Sequence, residues 1–129
     1  MYNLFLDDVR IPRKVTWITL PMVDWIIVRD YDEFVRTVKM KGIPRRVSFN
    51  HDIGPEHYTH DWAGNNIRPG QKTGLDCAVW LAKACRARKV PFPEYYVHSM
   101  NPIGADNIRK FIRSYKHNVE RKLLESKKV

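Results

Sequence analysis

The sequence predicts a three-layer α/β domain built on a mostly parallel sheet. Two observations carry this. Short apolar runs and amphipathic segments follow one another in the order β, loop, β, α, β, loop, α, β, α, and strands that alternate with helices pair in parallel. Three of the runs also end in chemically capable residues. Tyr2-Asn3-Leu4-Phe5-Leu6 ends in Asp7-Asp8, Val47-Ser48-Phe49 in Asn50-His51-Asp52, and Tyr95-Tyr96-Val97 in His98-Ser99. In an open parallel sheet the carboxyl ends of the strands share one edge, and ligands bind in the crevice there. At 129 residues the chain fits a single domain over 1–129, large enough to bury a core without metal or disulfide staples.

Residues 2–8 are rich in strand formers and make the first strand. Residues 9–24 contain Pro12 and Pro21, lack helical periodicity and read as a connection. Trp25-Ile26-Ile27-Val28 is the continuous apolar run of a buried strand. Asp30 with Glu33 is a capping-box pattern with Asp in place of Ser or Thr. It opens a helix whose stripe is Phe34, Val35, Val38 and Ile43, stopped by Gly42-Ile43-Pro44. Arg46 to Phe49 is the third strand. The stretch from Ile53 to Lys72 holds Gly54, Pro55, Gly64, Asn65, Asn66, Pro69 and Gly70. It is expected to be a long loop that is mobile without ligand and closes over it. Thr73 with Asp76 caps the next helix, whose apolar face is Cys77, Ala78, Leu81, Ala84 and Cys85. Pro91-Phe92-Pro93 leads into the fourth strand, Tyr95 to His98. Asn101 at N-cap and Pro102 at N1 start the last helix, with Ile108, Phe111, Ile112, Tyr115, Val119 and Leu123 along its inner face.

Composition narrows the class. Hydrophobic content of 43% and four Trp suit a globular fold. No apolar run approaches the roughly 18 residues that span a bilayer, and the first residues lack the basic and apolar regions of a secretory signal. No membrane partner is expected. Cys77 and Cys85 lie eight apart in a helical pattern, a rise of roughly 12 Å, too far for a disulfide within one helix. Two buried thiols and no disulfides point to a reducing compartment, hence a cytoplasmic protein. The net charge of +9 is mostly C-terminal: from Arg109 to Val129 eight Lys or Arg face two Glu, a net of +6. The last helix, from about residue 102, is therefore basic on its outer face. Such a face attracts nucleic acid or an anionic ligand, but no aromatic-interleaved groove or zinc-finger spacing supports polymer binding.

The strand ends supply the chemistry. Asp7 and Asp8 suit Mg²⁺ or another hard cation; a loop acid paired with Arg10 is the alternative. His51, flanked by Asn50 and Asp52, is an acid/base group able to act near neutral pH, and Asp52 is placed to orient it. His98 gives a second imidazole. Ser99, or the backbone amides that open the next helix around Asn101 and Gly104, would bind a phosphate oxygen. His57 and His60 in the long loop lack a third metal ligand fixed by spacing, so His57 is read as a ligand contact. Cys77 lies on the apolar stripe and is a poor nucleophile. Two imidazoles at neighbouring strand ends make one chemistry: one takes a proton from water or a ribose hydroxyl, the other gives one to the leaving oxygen, and amides and basic groups stabilise the phosphorane-like charge. That is phosphodiester cleavage or the opening of a cyclic phosphate.

These residues resemble a known family. Leu4-Phe5-Leu6-Asp7-Asp8-Val9-Arg10-Ile11-Pro12, Ser48-Phe49-Asn50-His51-Asp52-Ile53-Gly54, and Val97-His98-Ser99-Met100-Asn101-Pro102-Ile103-Gly104 with Asn107-Ile108 beyond are similar to the cyclic-phosphate-processing receiver-like family. Thr73-Gly74, Cys77-Ala78 and Trp80-Leu81 look like its central helix. The resemblance covers roughly residues 2–112. It implies a receiver-like, flavodoxin-type sheet of four strands, a role in processing cyclic phosphates, and a cyclic nucleotide or cyclic phosphate ligand. Members occur in bacteria and many of their phages, where an enzyme or sponge acting on cyclic nucleotide alarm signals is a natural counter-defence role. One departure matters. The family pattern reads Phe-Asp-His-Asp, whereas this chain has Asn50. An amide cannot accept a phosphoryl group as the receiver Asp does and is a poor Mg²⁺ ligand, which argues against phosphorelay. Either metal use has been lost or the change traps a bound ligand. Two functions follow: a phosphodiesterase using His51 and His98, in which Asn50→Asp raises turnover or metal dependence, or a module that sequesters an anionic nucleotide or binds a partner protein.

Overall fold

Four short strands pair into one all-parallel sheet because their apolar positions satisfy each other in register. A computed structural model describes residues 1–53 and 72–127. Within them β1 (Asn3–Leu6), β2 (Trp25–Val28), β3 (Arg46–Phe49) and β4 (Glu94–Val97) lie in the order β2-β1-β3-β4. Leu6 stands beside Val28 on one side and Phe49 on the other, and Phe49 beside Val97. The chain leaves β1 toward β2, then crosses back to β3, so the order reverses at β1 and β3. This is the receiver-like, flavodoxin-type topology expected of the sequence, and its switch point is where such sheets bind ligands. The expected Ile53–Lys72 loop and His57 lie outside the described residues, apart from the loop's two ends.

Side chains alternate across the sheet. Leu4, Leu6, Val28, Val47, Phe49 and Val97 share one buried cluster with α1 (Tyr31–Lys41), α2 (Gly74–Arg88) and α3 (Pro102–Tyr115). The opposite alternation carries polar pairs: Arg46 donates to Glu94 at 2.7 Å and to Asn3 at 3.3 Å, and Tyr96 donates to Glu94 at 2.6 Å.

The caps behave as local chemistry dictates, with one adjustment. Asp30 accepts from the Glu33 amide, but Glu33 reaches past the cap to the Arg29 amide at 2.9 Å. Thr73 and Asp76 form a full reciprocal box on α2. On α2 the buried face is Cys77, Ala78, Leu81, Ala82 and Cys85; Ala84 sits at its border, and Ala82 fills the position four residues after Ala78. Both thiols are free and buried. Burial, then the charges of Asp76 and Asp30, push Cys77 well above the usual thiol range; burial, then Glu120, pushes Cys85 up to about 12. Neither is a nucleophile at neutral pH. No helix among the described residues is long and apolar enough to cross a membrane.

Beyond α3 the chain widens into a π-helical turn over Lys116–Glu120 and continues as α4 (Arg121–Lys127). Buried Glu120 explains the anchoring: it accepts from the Phe92 amide, between two prolines, and from Lys116 at 2.9 Å. Phe92 precedes β4, so this end of the chain is tied to the amino-terminal edge of the sheet. The basic C-terminal turns therefore stand at the edge opposite the strand ends that carry the candidate chemistry.

Candidate functional site

The ladder extends one residue beyond each strand and sets three polar residues level. Asp7 donates its amide to Val28 at 3.1 Å, Asn50 to Leu6 at 3.0 Å and His98 to Phe49 at 3.0 Å. From this row the side chains separate into two clusters, each built on one histidine.

The first cluster is sealed. His98 is fully buried, its ring stacked on Phe5 at 4.4 Å between centroids. Its Nε2 lies 3.0 Å from Asp7 Oδ2 and its Nδ1 lies 2.6 Å from Ser48 Oγ. A carboxylate only accepts, so Nε2 carries a proton, and in the neutral ring Nδ1 accepts from the Ser48 hydroxyl. Asp7 is equally occupied. Its Oδ1 accepts from the amides of Val9 at 2.9 Å and Arg10 at 2.8 Å, and the Arg10 guanidinium stands 3.6 Å from Oδ2. Burial pushes the Asp7 carboxyl up, but the hydrogen bonds from His98, Arg10 and Val9 outweigh it and hold the group at about 2. Burial, and then the neighbouring charge of Asp7, raises the Asp8 carboxyl instead.

The second cluster is open. His51 Nδ1 donates to Asp52 Oδ1 at 2.8 Å, and the His51 side chain keeps 18% of its surface. This bond fixes the tautomer and leaves Nε2 as the nitrogen that can take a proton. Asn101 steadies Asp52 with its amide, 3.4 Å from both carboxylate oxygens, while its own carbonyl caps α3 through the Gly104 amide at 3.0 Å. Gly104 supports the ring from below: a Cβ there would stand 2.4 Å from His51 Cγ. Gly74 does the same for the turn, because its Cβ would meet the Asn50 carbonyl oxygen at 1.9 Å.

Several expectations change at this level. The paired-histidine mechanism needs both imidazoles at one ligand, and His98 has neither an exposed edge nor a spare nitrogen. Of the two imidazoles, only that of His51 keeps a surface open. Asn50 is buried, and its amide donates to the Asp52 carbonyl at 2.8 Å; it positions the His51-Asp52 turn. The first turn of α3 offers little to a phosphate. The Asn101 amide is spent on Ser99 Oγ at 3.2 Å, the Gly104 amide on Asn101, the Ala105 amide on the Asn101 carbonyl, and Pro102 has none. Only the Ile103 amide is left there among the described residues.

A resident Mg²⁺ at Asp7 and Asp8 does not fit the donors present. Both Asp7 oxygens are already held by amides and His98, and the Arg10 guanidinium 3.6 Å from Oδ2 would repel a cation bound there. Among the described residues no three His, Cys, Asp or Glu are grouped to hold a metal.

Three contributors were missed in the sequence. Arg29 donates to the carbonyls of Asp7 at 3.1 Å and Arg10 at 2.7 Å, fixing the β1 exit. It follows the second strand directly, the same signal that marked the other three exits. Ser48 is a lone hydroxyl in a buried run, which requires a partner. Trp17 donates its indole N–H to the His98 carbonyl at 2.8 Å; nothing local announced it.

Two outcomes follow. Asn50→Asp replaces a buried donor with an acceptor facing the Asp52 carbonyl and is expected to cost about 1–3 kcal/mol without raising turnover. Urea unfolding with parallel rate assays checks it. Higher turnover with a new Mg²⁺ requirement would instead restore a metal pocket. Asp7 also predicts an acid limb. Its folded pKa, about 2, lies below the ordinary 3.8, so its stabilisation is complete above 3.8 and is lost as pH falls toward 2. It is worth about 2 kcal/mol. Unfolding free energy followed from pH 4.5 to 2 should fall less in Asp7→Asn than in the parent; equal slopes would contradict the assignment.

Residues 2–114 match the family model of the cyclic-phosphate processing receiver domain. A search of curated proteins and a search of solved structures each found no match.

Proposed function

Because the chain belongs to the cyclic-phosphate processing receiver domain family, we propose that it hydrolyses cyclic phosphates, with His51 as general base and Asp52 as its orienting carboxylate. One observation carries the reading: a carboxylate-held imidazole stays open at the carboxyl edge of the sheet, beside the switch point, while the other imidazole is sealed. Water attacks phosphorus, and His51 Nε2 takes its proton. The ring P–O bond breaks, and the leaving oxygen needs a proton. Solvent supplies it, and His51 releases the proton it took from water. The product is a phosphomonoester with a free hydroxyl. Arg10 supplies positive charge at the β1 exit, where charge develops on the phosphoryl oxygens.

Incubation with 2′,3′- and 3′,5′-cyclic nucleotides and cyclic dinucleotides, with products resolved by chromatography, tests this. Phosphomonoester products that vanish in His51→Ala support it; no product from any member overturns it. A second reading, a module that sequesters the ligand or a partner without turnover, is favoured by Asn50, which removes the receiver phosphoacceptor. Tight binding with no product would identify it. If the substrate is a cyclic nucleotide alarm signal, hydrolysis or capture in the cytoplasm of an infected cell would serve a phage against host defence.

A further inference from the structure

The crevice has an apolar rim. Four large hydrophobic side chains stand open around the strand exits: Val9 (72% exposed), Trp17 (39%), Met100 (61%) and Ile103 (75%). They come from separate segments, the β1 exit, the connection to β2, the β4 exit and the start of α3. Three of the segments meet at one cation. The Arg10 guanidinium lies 5.3 Å from the centre of the Trp17 ring, donates to Met100 Sδ at 3.4 Å and pairs with Asp7. Trp17 is held by its polar edge through the bond to the His98 carbonyl, so its ring is an anchored, partly open platform. Open apolar groups gathered in this way mark a surface that something covers.

The chemistry of the rim selects the cover. An anchored indole offers a stacking face, Met100 an adaptable thioether, and Arg10 a charge beside both. A ligand that satisfies all three has a flat unsaturated ring joined closely to an anion. We propose that Trp17, Met100 and Ile103 form a nucleobase subsite, so that the ligand is a nucleoside cyclic phosphate and not a base-free cyclic phosphate. The proposal rests on the cyclic-phosphate reading for the anionic part of the ligand. It adds that the base contributes affinity, with little discrimination among bases, because stacking is tolerant of base identity.

Calorimetric binding of adenosine 2′,3′-cyclic phosphate and of glycerol 1,2-cyclic phosphate separates the two ideas. The nucleotide should bind roughly tenfold or more tighter, the worth of one stacked base. Trp17→Ala should remove most of that difference, weakening the nucleotide far more than the glycerol ester. Met100→Ala and Ile103→Ser, both at well-exposed positions, should narrow the difference without disturbing the fold. Equal affinity for the two esters, or equal weakening of both by these variants, would overturn the base subsite and leave the cyclic-phosphate reading standing. Binding of neither ester would overturn both and assign the rim to a protein partner. Tight nucleotide binding without hydrolysis would uphold the subsite and remove the enzyme.

Discussion

His98→Ala is expected to cost about 3–5 kcal/mol of stability, the usual loss when a large, fully buried ring is truncated to alanine. That is a large share of the roughly 5–15 kcal/mol that holds a domain together. Its Nε2–H is one of the hydrogen bonds that keep the Asp7 carboxyl charged while buried, and its ring fills the space against Phe5. Without it Asp7 and Ser48 are left facing a cavity. The Asp7 turn would then loosen, and with it the Arg10 guanidinium. Urea unfolding measures the effect directly. An unchanged midpoint with lost activity would mean that His98 acts on the ligand, as the paired-imidazole reading from the strand ends supposed.

Gly104→Ala is expected to remove most of the activity by unseating His51. Alanine's helix propensity exceeds glycine's by about 1 kcal/mol at most, which offsets only part of the clash. The added methyl would stand 2.4 Å from His51 Cγ and 2.7 Å from Nδ1. Those atoms lie at the root of the ring, so no small rotation of its far edge relieves the clash. The imidazole must leave Asp52. The rate should fall on the order of 10²–10⁴, the worth of a general base, and the melting temperature should fall as well, because His51 Cβ is also in the way. Parental turnover in Gly104→Ala would show that the seat of His51 on α3 is irrelevant to function.

The extent to which this was legible in the sequence follows from the range of each interaction. The caps at Asp30, Thr73 and Asn101 are contacts over three residues or so, and their residue types announce them. The strand exits were legible because an apolar run ending in acid or imidazole is a local pattern. The separation of the two histidines was not. His98 is sealed by Ser48, fifty residues away, and by Asp7, ninety-one away, partners that only the strand order brings together. Nor could spacing reveal that the α3 amides are consumed by Ser99 and Asn101, because the Asn101-Pro102 start looks the same with its amides open or spent. The basic tail was visible as composition, but its place at the far edge depends on the Glu120 contact with Phe92.

The central claim is that His51, held by Asp52, is the base of a cyclic-phosphate hydrolase. Single-turnover cleavage of adenosine 2′,3′-cyclic phosphate by the parent and by His51→Ala tests it most directly. The predicted result is parental conversion to the phosphomonoester, a rate lower by about 10²–10⁴ in the variant, and partial recovery when imidazole is added. Cleavage by His51→Ala at the parental rate would contradict the account.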